Sequence, residues 1–298
     1  MTVVGIDIGG SGVRAARVEG ASPEGPIARE ELAERTLPEV AAAVERAVFR
    51  VSRGGEGGRV ERVGVGVPGF VREGVVIASP NFPTWQDLPL AEELSVRLGL
   101  TVVVENDANA ATLGTAAHLG VTSDLVMLTL GTGVGGGVIS EGRLLRGRAG
   151  TAAELGHTFV GGDRACNCGG VGCLEQWCST TGLLRSAREA GREDCRDGQA
   201  VVDAARAGEA WAQAIVAEAG RRLGIGLTNL VNVFAPEVVA LAGGLSLAQD
   251  LLEGPATQWL QRYGIPANAG RVSLRWLGPA DALAIVGAAV SAREAPAP

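Results

Sequence analysis

Hydrophobic positions in this chain fall into short runs that end on glycine. Val3 to Ile8 reads as a strand and Val13 to Val18 as a second, with Gly9, Gly10 and Ser11 turning between them. Leu37 to Ser52 instead repeats apolar side chains at 40, 44, 47, 48 and 51, the spacing of one helical face. RGGEGG (53–58) reads as a loop, and Val63 to Val67 as a buried strand that stops at Pro68-Gly69. ASPNFPTWQDLP (78–89) is rich in turn formers. Leu90 to Leu98 suits a short helix, and Val102 to Val104 a strand that passes through END into an alanine-rich helix.

The same pattern then recurs. Leu125 to Leu130 reads as a strand, GTGVGGG (131–137) as a turn, and Val138-Ile139 as the strand resumed. This repetition of residues 3–18 suggests two related halves. Residues 180–233 read as mostly helical, Glu237 to Ala242 as a strand ending on Gly243-Gly244, Ala282 to Ala292 as a last helix and APAP as a frayed tail. Strands and helices alternate twice over. The expectation is an α/β architecture in two lobes with a central cleft, and ligands at the carboxyl ends of the strands.

Composition narrows this. A chain of 298 residues suits two modest domains or one large one. No apolar run approaches the ~18 residues of a membrane span, and a strand pattern from residue 3 with no basic leader leads us to expect a cytoplasmic protein without membrane partners. The net charge of −7 fits plain solubility and argues against nucleic acid as a partner. Glycine occurs 45 times, about twice the usual ~7% share, in short motifs that imply close backbone approaches. All 26 basic residues are arginine, so a lysine-dependent P-loop and Schiff-base chemistry are excluded. Five cysteines, an odd number, argue against a disulfide framework.

Candidate chemistry clusters at the glycine turns. Asp7 ends an apolar strand two residues before Gly9-Gly10-Ser11. Either it caps the turn, or the turn's N–H groups face a phosphate and Asp7 holds the accompanying Mg²⁺. Thr132 and Gly133 in the second turn would face a phosphate in the same way, unless that turn is a plain hairpin. Gly243-Gly244, between strand and helix, would flank a nucleotide or merely open the helix. Asn106 and Asp107 stand where a strand meets a helix. There Asp107 is either the helix N-cap or a base that accepts a proton from a hydroxyl attacking phosphorus. His157, Cys166, Cys168 and Cys173 offer one imidazole and three thiolates, a set for a closed structural Zn²⁺ site in a glycine-rich loop, 157–175.

DIGGSGVR (7–14), GVPG (66–69), SPN (79–81), ENDANAA (105–111), GTGVGGG, ELGH (154–157) and CNCGGVGCLE (166–175) together resemble, in order and spacing, the ROK family of sugar kinases and repressors. That resemblance implies an actin/hexokinase-like ATPase (ribonuclease H-like) fold. A small lobe of 1–115 plus 282–298 and a large lobe of 116–281 are expected. It implies ATP-dependent phosphorylation of a hexose, glucose at its 6-hydroxyl first, with an N-acetylhexosamine or fructose as alternatives. Asp107 would be the general base. Gly69, Asn81, Asn106, Asp107 itself, Glu154, His157 and Glu175 would contact the sugar. Asp7, Gly9, Gly10, Ser11, Thr132, Gly133, Gly243 and Gly244 would surround the ATP phosphates and Mg²⁺. A homodimer or homotetramer is implied too. Ser11 replaces the family's usual threonine and keeps its hydroxyl. Ala153 replaces the glycine that commonly precedes the glutamate, adding a methyl beside the sugar contacts. A repressor of the family would carry a helix-turn-helix before the DIGG strand, which here starts at residue 3. A sugar-sensing regulator without catalysis is the remaining non-enzyme alternative, and Asp107 counts against it.

Overall fold

The structure, a computed structural model, describes residues 2–53 and 58–295; the middle of the RGGEGG loop and the end of the APAP tail lie outside them. In chain order the elements are β1 (Thr2–Gly9), β2 (Gly12–Glu19), β3 (Ser22–Glu31), α1 (Leu37–Arg53), β4 (Val60–Val67), β5 (Phe70–Arg72), β6 (Val75–Ala78), β7 (Gln86–Leu88), α2 (Leu90–Leu98), β8 (Thr101–Asn106) and α3 (Asp107–Leu119). There follow β9 (Leu125–Leu130), β10 (Val134–Ser140), β11 (Arg143–Leu144), α4 (Glu175–Cys178), α5 (Thr180–Glu189), α6 (Gly198–Arg206), α7 (Ala210–Phe234), β12 (Val238–Ala242), α8 (Gln249–Tyr263), α9 (Pro266–Ala269), β13 (Ser273–Gly278) and α10 (Asp281–Glu294).

The chain forms two units. One comprises Met1–Thr122, Leu144–Ala152 and Asp281–Pro298, the other Ser123–Arg143 and Ala153–Ala280. The expected large lobe of 116–281 therefore loses its ends, 116–122 and Asp281, and within it the stretch 144–152, to the first unit. For that stretch the reason is local: Gly150 has φ 71° and backs onto the Val71 carbonyl, where any Cβ would collide, and Arg146 pairs with Glu105.

In the first unit the sheet order is β3-β2-β1-β4-β8. Alternation along β1 sends Val4, Ile6 and Ile8 into a core with α1 and α2, and Val3 toward α10. Gly5 and Gly64 let the α10 backbone lie directly on the sheet, since a Cβ at either would strike the carbonyl of Ile285 or Ala288. Asp7 shares the face of Val3 and Gly5. A small sheet, β5-β6-β7, was not anticipated, and its strand β7 falls inside the stretch 78–89 expected to be turns. Its strands are only three or four residues long, too short to show a period.

In the second unit the order is β11-β10-β9-β12-β13. Val126, Leu128 and Leu130 of β9 pack with α7 and α8 in one core. The β9–β10 turn corresponds in form to the β1–β2 turn: both are antiparallel pairs closed over a few glycine-rich residues.

Candidate active site

In the first unit, β8 delivers Asn106 and Asp107 to the start of α3. The N-cap is Asn106, not Asp107: its Oδ1 accepts from Asn109 N at 2.9 Å. Its Nδ2 donates to the Gly69 carbonyl at 2.9 Å and to Asp107 Oδ1 at 3.1 Å. Asp107 is thus the first residue of α3, half-buried, where the helix dipole stabilises negative charge. Its Oδ1 also accepts from Ala108 N at 2.9 Å. Of the two roles left open for Asp107, the cap falls to Asn106.

Gly69 has φ 121°, and a Cβ there would meet the Ala78 carbonyl, so the carbonyl that anchors Asn106 depends on glycine. Ser79 Oγ donates to Pro68 O at 2.6 Å and ties the GVPG and SPN loops together. Asn81 reaches the first turn, its Nδ2 lying 3.0 Å from where a Gly10 Cβ would be. Gly9 and Gly12 close the β1–β2 hairpin, with Gly10 and exposed Ser11 at its tip.

Asp7 is buried and paired with Arg14, which also holds Asp281. Burial pushes the Asp7 carboxyl above the usual range, and the Arg14 guanidinium opposes that shift. Asp7 and Arg14 are direct cross-strand partners.

In the second unit a different set comes together. Glu175, first residue of α4, accepts from Val134 N at 3.0 Å through Oε2. A Cβ on Gly133 would strike that same oxygen. Gly156, in the short 3₁₀ turn Leu155–His157, lies against the Val134 carbonyl with no room for a side chain. The GTGVGGG turn, the ELGH turn and Glu175 are therefore one packed assembly. Thr132 is exposed at the turn's tip, its carbonyl accepting from Thr181 Oγ1 at 2.8 Å. Gly243, φ 96°, ends β12 against the Leu130 carbonyl, and open space surrounds Gly244.

His157 turns its two ring nitrogens to different neighbours. Nδ1 lies 3.5 Å from Cys166 Sγ, and Nε2 3.9 Å from Glu154 Oε2. Cys168 and Cys173 sulfurs are 3.6 Å apart, and all four donor atoms fall within 4.8 Å of one another. A tetrahedron with Zn–S ~2.3 Å and Zn–N ~2.05 Å has S–S edges of about 3.8 Å and N–S edges of about 3.6 Å. The His157–Cys166 and Cys168–Cys173 separations match those edges, and the other donors lie close enough, all within 4.8 Å, for the set to close on a tetrahedral metal. Without an ion, burial pushes the Cys173 thiol up to about 12. A Gly170 N–H holds Cys168 below its usual range. The loop is closed by Cys166 N to Gly170 O at 2.9 Å and Leu174 N to Thr158 O at 3.0 Å.

Glu154 precedes His157 by one turn. Burial raises its carboxyl, His157 lowers it, and the Glu175 charge raises it further. Ala153 adopts φ 64°, the left-handed region that favours glycine, which explains why glycine suits that position. Cys178 is buried and donates to Ala219 O at 3.2 Å, a structural thiol.

Four partners were missed from the sequence: Arg14, Glu105, Asn109 and Arg146. Arg14 had a signal, since the hairpin register places it opposite Asp7. Asn109 stands three residues past Asn106, the spacing of a cap bond. Arg146 and Glu105 lie 41 residues apart and left no trace in any local pattern.

Residues 3–294 match the model of the ROK family. The glucokinase of Thermotoga maritima is 36% identical over 293 residues, 91% of this chain and 90% of that protein. The ROK hexokinase of Thermus thermophilus superposes with a TM-score of 0.84 at 34% identity, over 98% of each chain. A ROK glucokinase from Streptomyces griseus, solved with glucose and AMPPNP, gives 0.81 at 33% identity over 99% of this chain and 100% of that one.

Proposed function

Because the chain belongs to the ROK family, we propose that it is an ATP-dependent hexose kinase that phosphorylates glucose at its 6-hydroxyl, with Asp107 as general base. The observation that carries the base assignment is the division of labour at α3. Asn106 makes the cap and also donates to Asp107, so a carboxylate not needed for capping is held at a strand end. Similarity over nearly the whole chain to a glucokinase solved with glucose and AMPPNP supports the substrate pair.

In this reading the sugar hydroxyl attacks the γ-phosphorus of ATP. The new O–P bond forms as the bond to ADP breaks, and the hydroxyl proton passes to the Asp107 carboxylate. Asn81, Asn106, Glu154, His157, Glu175 and the Gly69 backbone select the sugar by pairing its hydroxyls. Gly9, Gly10, Ser11, Thr132, Gly133, Gly243 and Gly244 receive the phosphates. Asp7 would hold the Mg²⁺ that accompanies ATP, which would neutralise phosphate charge. Zn²⁺ in the His157, Cys166, Cys168, Cys173 set would be structural, fixing the His157 ring so that Nε2 points away from the metal. A cytoplasmic location, where thiols stay reduced, suits that set. No helix among the described residues is long and apolar enough to cross a membrane. A homodimer or homotetramer fits the family reading, and light scattering of the purified protein decides it.

The test is an ADP-release assay with MgATP across glucose, N-acetylmannosamine, N-acetylglucosamine and fructose. Glucose should give the highest kcat/KM. Absence of turnover on every sugar would refute the kinase reading.

A further inference from the structure

Glu105 stands near the end of β8, immediately before Asn106 and Asp107, and its side chain is only 6% exposed. A buried carboxylate is costly unless both oxygens are satisfied. Oε1 accepts from the backbone N of Asn106 and from Nδ2 of Asn109, each at 3.0 Å. Oε2 accepts from Arg146 Nε and faces Arg146 Nη2, each at 2.8 Å. Among the described residues Arg146 is the one cation paired with Glu105.

A stiff strap presents this guanidinium. Ala152 N donates to the Arg146 carbonyl at 3.2 Å. Gly147 has φ 68°, and a Cβ there would press on Ala152. Gly150 seats the strap on the Val71 carbonyl. Arg146 itself is 49% exposed and borders a cavity of about 650 Å³ that Val102 to Glu105 also line. Strap and strand therefore fix the relative position of the two charges.

Both groups bound by Glu105 Oε1 belong to the assembly that holds Asp107. One is the backbone N–H of Asn106, whose side chain donates to Asp107; the other is Asn109, whose own N–H completes the cap. Without Arg146 the Glu105 carboxylate loses its counter-charge and is drawn toward water in the cavity, releasing both. We propose that Arg146 is a positioning residue for phosphoryl transfer, acting through Glu105 and Asn106 on the orientation of Asp107. This rests on Asp107 being the base.

The test uses the full-length chain and ADP release, with melting temperature recorded for each variant. Arg146→Ala should lower kcat about 10- to 100-fold, the scale of a small misplacement of a reacting group, while KM for ATP stays within about twofold. Arg146→Lys, which keeps the charge but loses the planar fork, should fall between. Millimolar guanidinium, which the cavity admits, should restore part of the Arg146→Ala loss. In an Asp107→Asn background, adding Arg146→Ala should lower kcat no further. Wild-type kcat in Arg146→Ala overturns the proposal, and so does a loss that persists undiminished in the Asp107→Asn background. Should Arg146→Ala fail to fold, Arg146→Lys carries the same comparison, and unchanged kcat there overturns the proposal. Full turnover by Asp107→Asn alone overturns the base assignment itself, a distinct outcome from either Arg146 result.

Discussion

Replacing Asn106 by aspartate changes one atom group and reverses its meaning. The shape is kept, and Oδ1 can still accept from Asn109 N, so the cap of α3 survives. The former Nδ2 becomes an oxygen facing the Gly69 carbonyl at 2.9 Å and Asp107 Oδ1 at 3.1 Å. Two donations are lost, about 1 kcal/mol for the neutral one and about 1.5–3 kcal/mol for the one to a carboxylate. Two charges at 3.1 Å would also repel by about 5 kcal/mol at an effective dielectric of ~20. Rotation of Asp107 relieves most of that, and the helix dipole returns about 0.3–1 kcal/mol. On the proposed assignment, that relief by rotation is what lowers turnover, because it takes Asp107 from its place. We expect kcat for Asn106→Asp to fall at least ~100-fold. Asn106→Ser, a good cap without a donor to the carboxylate, should lie between it and the wild type. Steady-state ADP release with urea unfolding of the three proteins provides the comparison. An Asn106→Asp enzyme with wild-type kcat would show that the Asn106–Asp107 contact does not orient the base.

Purified protein should contain one zinc per chain by metal analysis. Chelation, or Cys168→Ser, should remove it, lower the melting temperature and raise KM for the sugar more than KM for ATP; a metal-free preparation with full sugar affinity would contradict this. Ala153→Gly should stabilise the protein by about 1 kcal/mol, relieving the left-handed backbone at φ 64°, as read by urea titration. Asp124 is held below the usual carboxylate range, chiefly by the Glu141 N–H at 3.0 Å. Its folded value lies below its unfolded one, so its contribution is present above the unfolded value and lost as pH falls through the folded one. Asp124→Asn should therefore flatten the decline in stability between about pH 5 and pH 3; an equally steep decline would count against this role.

Much of the scaffold was legible because it rests on local rules. Leu90 to Leu98 and Leu125 to Leu130 appear where their patterns predict, and the paired glycine hairpins announced the repeated sheet. Strand β3 escaped notice because it is a polar, largely exposed edge carrying Pro23 and Pro26, which only an edge tolerates. Strand β13 alternates without a fully buried side and has an arginine at its centre.

The candidate site divides along the same line. Motifs whose chemistry lies in neighbouring residues, the thiol cluster above all, could be read from spacing alone. Asp107 could not, because the sequence does not say which of two adjacent polar residues caps α3. Backbone geometry decides that, through the Gly69 carbonyl 37 residues away. Arg146 is further from any local rule, since its partner is set by the strap's path and not by its neighbours.

Turnover by Asp107→Asn, measured beside glucose binding, is the most direct test of the base assignment. The variant keeps the side chain's size and its place at the start of α3. Glucose affinity and melting temperature should stay near wild type while kcat falls about 10²- to 10⁴-fold. A variant that phosphorylates glucose at the wild-type rate would contradict Asp107 as the base.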